Sequence, residues 1–188
     1  MMMEDLELID LKQAGRKFLN EAAVMLYNEF LQTASRSWST MEASLNEVRE
    51  CISGELICIG LAGKDRLICW GGLRPMYGNI TWELHPMVVA RESQGKGIGK
   101  RLIAELESAA RARGILNIVL GTDDETGRTS LSGKDLYKAG ILREIKKIRN
   151  LGNHPYEFYR KMGYTIIGVI PDANGVGKPD IWMGKRLD

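Results

Sequence analysis

Glu83, His85 and Met87 stand two residues apart in the run Trp82-Glu83-Leu84-His85-Pro86-Met87-Val88-Val89. That spacing sets all three on one side of a β-strand. A carboxylate there can hold an ammonium group and take its proton, directly or through water. A salt bridge to a neighbouring strand is the competing role for Glu83. Histidine titrates in a range that suits proton transfer, although His85 precedes a proline at a strand bend and reads first as positional. Five residues beyond Val89 comes Gln94-Gly95-Lys96-Gly97-Ile98-Gly99, followed by an amphipathic pattern. Alternating glycines leave no side chains at the mouth of the helix predicted there. The first N–H groups of a helix lack intrahelical partners and carry partial positive charge, which suits a phosphate. Lys96, Lys100 and Arg101 add positive charge. Strand, glycine turn and helix start therefore predict a site for a phosphorylated cofactor. The competing role is a plain glycine-rich cap. The spacing is neither the dinucleotide fingerprint nor the Walker loop.

The rest of the chain bounds the chemistry. Its 188 residues suit one domain, residues 1–188, and 44% apolar residues are enough for a sizeable core. A net charge of +2, with basic residues that do not cluster with aromatics, argues against a nucleic-acid partner. No apolar run reaches membrane-span length, and Met1–Asp5 lacks a basic-then-apolar export signal. Cys51, Cys58 and Cys69 are odd in number and lack metal-ligand spacing, so no metal is expected and buried thiols in a reducing cytoplasm are.

The elements that must position these residues follow from periodicity. Strands are expected at 6–11, 56–61, 66–73, 80–89, 115–120, 164–170 and 180–187. Helices are expected at 18–31, from about Ser39 or Thr40 to Gly54, from near Gly97 to Gly114, at 136–148, and from His154 to Gly163. Hairpins mixed with a strand–helix–strand crossover predict an α/β fold, a mixed, twisted sheet with helices on both faces.

Several segments resemble one superfamily. Gln94-x-x-Gly97-x-Gly99 resembles the acetyl-CoA pyrophosphate loop of the GNAT N-acetyltransferases, and Tyr159-Arg160-Lys161-Met162-Gly163-Tyr164 resembles a signature late in those enzymes. Trp82 to Val89, Leu120 to Asp124, His154 to Tyr159 and Lys178 to Met183 are similar to the dimer-forming branch of aminoglycoside 6′-N-acetyltransferases. The resemblance implies the GNAT fold, acetyl-CoA as cosubstrate, a homodimer, and a polycationic small-molecule amine as acceptor. It implies antibiotic resistance as the outcome, and direct attack in a ternary complex is expected because no cysteine lies in a motif that places it at the thioester. Glu83 is then the base, and Tyr159 hydrogen-bonds the thioester sulfur and stabilises or protonates the departing thiolate. The Met87 N–H polarises the acetyl carbonyl, with Met87, Val88 and Val89 along the pantetheine arm and residues Gln94, Gly95, Lys96, Gly97, Ile98, Gly99 and Lys100 at the diphosphate. Glu83, Asp123, Asp124 and Glu125 form an acidic cluster for the acceptor, and Trp38 and Tyr77 wall its cleft. Related 6′-enzymes carry a further aspartate where this chain has Thr126. Acylation of another small polyamine or a protein amine, and acyl-CoA binding without turnover, stay open as alternatives.

Overall fold

The computed structural model describes residues 6–31 and 38–188, so the reading of Met1–Asp5 lies outside the described residues. The chain divides into two compact units, residues 1–116 with 187–188, and residues 117–186. In the first, β1 (Glu7–Asp10), β2 (Ile57–Ala62), β3 (Leu67–Tyr77) and β4 (Thr81–Val89) pair in that order, each antiparallel to the next. Helices α1 (Arg16–Leu31), α2 (Met41–Cys51) and α3 (Ile98–Ala112) belong to the same unit, and a 3-10 turn spans Arg91–Ser93.

Two adjacent glycines show how the helices are layered. A Cβ on Gly71 would meet Leu102 and Leu106 of α3, whereas a Cβ on Gly72 would meet the Cys51 sulfur of α2. Successive strand residues face opposite ways, so α2 and α3 cover opposite faces of β3. The core against α1 and α2 gathers Leu11, Ala22, Leu26, Val48, Cys58, Trp70 and Val88. Trp70 is fully buried, and its indole N–H donates to the Ala22 carbonyl at 3.1 Å. The bond offsets the cost of taking that donor out of water. The Thr40 hydroxyl accepts from the Ala43 N–H at 3.1 Å and starts α2, as the sequence predicts.

In the second unit β5 (Asn117–Asp123), β7 (Asp180–Arg186) and β6 (Thr165–Ile170) lie side by side in that order, again antiparallel. Ile118, Leu120, Ile181 and Met183 are buried. The helix expected over 136–148 is two short ones, α4 (Leu136–Ala139) and α5 (Ile141–Ile145). Gly140 separates them with φ +86° and ψ +100°, far from helical values. A short helix α6 (Tyr156–Lys161) precedes β6. The segment 121–133 is tied down by the Thr129–Asn150 bridge and by the Leu151 N–H, which donates to the Arg128 carbonyl at 2.7 Å.

Candidate active site

The glycine turn is built from exposed main chain. Gly95, Lys96, Gly97 and Lys100 are exposed, and Gly97 caps α3 at φ +82°, a left-handed conformation that glycine adopts without strain. No side chain caps the helix, and its first intrahelical bond runs from the Arg101 N–H to the Gly97 carbonyl at 3.1 Å. The amides of Ile98, Gly99 and Lys100 precede that bond and have no intrahelical acceptor. Side chains around the turn face elsewhere. The Gln94 amide donates to the Val89 carbonyl at 3.0 Å and to Glu29 Oε2 at 3.1 Å, which binds the turn to β4 and α1. Lys96 Nζ donates to the Glu92 carbonyl at 2.7 Å. Arg101, expected to add charge at the turn, donates to the Leu6 carbonyl at 2.9 Å instead. Amides without intrahelical acceptors at a helix start suit a diphosphate better than a neutral group.

Strand β4 alternates half-buried and buried residues from Thr81 to Val89, so Glu83, His85, Met87 and Val89 share the more open side while Val88 faces the core. Glu83 is ion-paired: Arg74 Nε donates to its Oε2 at 2.8 Å from the facing position of β3. The salt bridge leaves 16% of the Glu83 side-chain surface exposed. His85 Nε2 lies 3.5 Å from Glu47 Oε1, and the Trp38 indole N–H donates to Glu47 Oε2 at 2.9 Å. Burial works against the Glu47 charge, but His85, the Trp38 N–H and Arg74 outweigh it and hold the carboxyl below its ordinary value. Tyr77 stands 70% exposed at the end of β3. Sequence reasoning missed Arg74 and Glu47. Neither belongs to a motif.

In the second unit the acidic residues separate into different roles. Asp123 is exposed, and its Oδ1 accepts from the Asn174 amide at 2.5 Å. Asp180, the first residue of β7, is its cross-strand partner. Asp124, expected in the acidic cluster, is fully buried: Oδ1 accepts from the Arg128 N–H at 2.6 Å and Oδ2 from the Thr129 N–H at 2.7 Å. It braces the loop, because backbone donors four and five residues on capture both oxygens. Glu125 is half-buried. His154, also buried, accepts from the Tyr156 N–H at Nδ1 (3.2 Å), so Nε2 carries the proton toward the Asp123 carbonyl at 3.0 Å. Tyr159 is half-buried between Phe158 and Tyr164, with ring centroids at 5.2 and 5.9 Å. Desolvation pushes its phenol up to about 12, so it stays protonated at neutral pH.

All three cysteines are buried and free. The Cys58 hydrogen bond and burial push the Cys51 thiol up, and burial pushes Cys69 up to about 12. Thiols so held are poor nucleophiles. No helix among the described residues is long and apolar enough to cross a membrane, and no cluster of three metal-ligating side chains occurs among them.

The model of the acetyltransferase (GNAT) family matches residues 18–141. The chain belongs to that family. Its likeness to solved structures extends further. An aminoglycoside 6′-N-acetyltransferase complexed with coenzyme A is 37% identical, with a TM-score of 0.87 and 97% of both chains covered. An aminoglycoside 6′-N-acetyltransferase from Enterococcus faecium is also 37% identical over 97% of both chains, with a TM-score of 0.83. Aminoglycoside 6′-acetyltransferase type Ii is 32% identical, with a TM-score of 0.71 and 97% of both chains covered. None of the curated proteins matches the chain. The GNAT fold expected from the sequence is thus the fold observed, and the acyl donor of this acetyltransferase family is acetyl-CoA. The amides at the start of α3, which lack intrahelical acceptors, have the chemistry that suits a diphosphate.

Proposed function

We propose that this acetyltransferase carries the acetyl group of acetyl-CoA to the 6′-amine of an aminoglycoside, and that residues 1–188 act as one cytoplasmic, homodimeric resistance enzyme. The observation that carries the reading is the 37% identity, along 97% of both chains, to an aminoglycoside 6′-N-acetyltransferase complexed with coenzyme A. The site residues supply a route. Glu83 holds the acceptor ammonium and takes one proton, directly or through water, and the freed nitrogen attacks the thioester carbonyl carbon. The carbon–sulfur bond breaks and the electron pair leaves on sulfur. The Tyr159 phenol donates a hydrogen bond to that sulfur. It keeps its proton, because a thiolate, whose thiol lies near 8.5, is a weaker base than a phenolate near 12, and the second proton of the acylated nitrogen passes to the departing sulfur to give the free thiol. Attack is direct, in line with the burial of Cys51, Cys58 and Cys69. Asp123 and Glu125 add negative charge for a polycationic acceptor, whereas Asp124 is committed to the loop.

Thiol release from acetyl-CoA, measured side by side with kanamycin, tobramycin, spermidine and a lysine peptide, tests the proposal. The two aminoglycosides are expected to exceed the other amines in kcat/KM by about a hundredfold, a difference of about 2.7 kcal/mol in the transition state. Equal or faster turnover of spermidine or the peptide would reassign the acceptor. Coenzyme A binding with no thiol release from any amine would make the protein a binding module.

A further inference from the structure

The route above gives Glu47 no part, yet its carboxylate joins two residues of the acceptor side. One oxygen accepts from the Trp38 indole N–H at 2.9 Å and the other lies 3.5 Å from His85 Nε2. The indole and imidazole rings tilt against each other with centroids 5.3 Å apart, and Phe30 meets Trp38 edge-on at 4.5 Å. Trp38 has φ +50°, a conformation that a bulky residue keeps only when its surroundings impose it. The bond to Glu47 and the Phe30 contact are such surroundings.

Helix α2 does not need this carboxylate to pack. Ser44, Val48 and Cys51 form its buried side. Glu47 is only 13% exposed beside them, where a leucine would avoid the desolvation penalty of a charge. A group that breaks the local apolar pattern and is fully engaged by two candidate site residues has the character of a functional support. We infer that Glu47 is a positioning residue of the acceptor site, fixing the Trp38 indole and the His85 imidazole as a single wall. The identity of the acceptor rests on the aminoglycoside reading; the three-residue assembly rests on its own geometry. Glu47→Gln keeps an oxygen for the Trp38 N–H but loses the charge that pairs with His85. Glu47→Leu fills the space and loses both.

The test combines steady-state kinetics of the full chain with the 15N–1H resonance of the Trp38 indole, assigned by its absence in Trp38→Phe. Glu47→Leu is expected to raise the tobramycin KM about tenfold or more while the acetyl-CoA KM stays within about twofold, and Glu47→Gln to recover part of the loss. Glu47→Leu combined with His85→Asn should lose no more than the worse single variant, because both remove one arrangement. Both KM values rising together, or losses that multiply in the double variant, would overturn the assignment. The indole resonance should move on tobramycin addition in the wild type and not in Glu47→Leu. Should the wild type release thiol from no aminoglycoside, the acceptor reading fails separately. The indole signal then decides for Glu47: rapid solvent exchange in Glu47→Leu but not in the wild type supports the assembly, and equal exchange in both refutes it.

Discussion

Two turns in this protein look in sequence like ligand sites, the glycine turn before α3 and the acidic turn after β5, and they are built differently. In the first, side chains withdraw: Gln94 reaches Val89 and Glu29, Lys96 reaches Glu92, and Arg101 reaches Leu6. What remains is main chain, whose donors point wherever the backbone sends them. In the second, the side chains are the advertisement, and one of them turns inward. The Asp124 carboxylate is consumed by the N–H groups of Arg128 and Thr129, while Asp123 next to it stays exposed. A site made of backbone is legible from glycine spacing, whereas a site made of carboxylates depends on which local donors reach them first.

The sharpest way to break that contrast is to treat the two aspartates alike. Asp124→Ala removes two charge-assisted hydrogen bonds from a fully buried group and leaves two amides without acceptors. The expected loss is about 3 kcal/mol of folding stability. That is about 6–12 °C in melting temperature for a chain of this size. Asp123→Asn should leave the melting temperature within about 1 °C, as exposed substitutions do, and weaken binding of a polycationic acceptor instead. Calorimetry and acceptor titration of the two variants read both halves. Equal melting temperatures would erase the distinction.

A smaller effect separates main chain from side chain at the glycine turn. Gly97→Val puts a β-branched residue at φ +82°, which strains the start of α3 by about 1–2 kcal/mol. The acetyl-CoA KM is expected to rise about tenfold. Lys96→Ala removes a cation whose ammonium is already engaged by the Glu92 carbonyl, so it should change that KM by no more than about twofold. Kinetics with varied acetyl-CoA at fixed acceptor checks the pair. A larger effect from Lys96 would mean that side-chain charge, and not the amides, holds the diphosphate.

Legibility follows the same division. The alternation of β4, the glycine turn and the apolar stripe of α3 are local patterns, and all three appear where periodicity put them. Arg74 was hidden by register. Carried on from the Tyr77–Thr81 pair, the hairpin would set Arg74 against Leu84, but an irregularity between Pro75 and Tyr77 sets it against Glu83. A one-residue slip reverses every side chain. Glu47 was hidden by distance, since it meets His85 only after α2 folds onto the sheet. The split of the 136–148 helix was hidden because Gly140 is merely costly in a helix, and sequence alone does not say when the chain takes φ +86° there.

His154 gives the mildest test, on the stability of the acidic turn. Desolvation holds its pKa below the ordinary 6.5, opposed by its bond to the Asp123 carbonyl. In the fold, Nδ1 accepts from the Tyr156 N–H, so a second proton on the ring would confront one donor with another. The unfolded chain therefore binds the proton first as pH falls. Stability from neutral His154 is complete above about pH 6.5 and declines as pH drops toward the lower folded value. A single proton limits the slope to about 1.4 kcal/mol per pH unit. Urea denaturation at intervals from pH 7.5 to 5.5 should show this decline in the wild type, in a range above most carboxylate titrations. His154→Gln should be less stable at pH 7.5, having lost the ring, yet nearly flat across the same interval. A wild-type slope that survives in His154→Gln would place the titrating group elsewhere and leave the turn held by Asp124 alone.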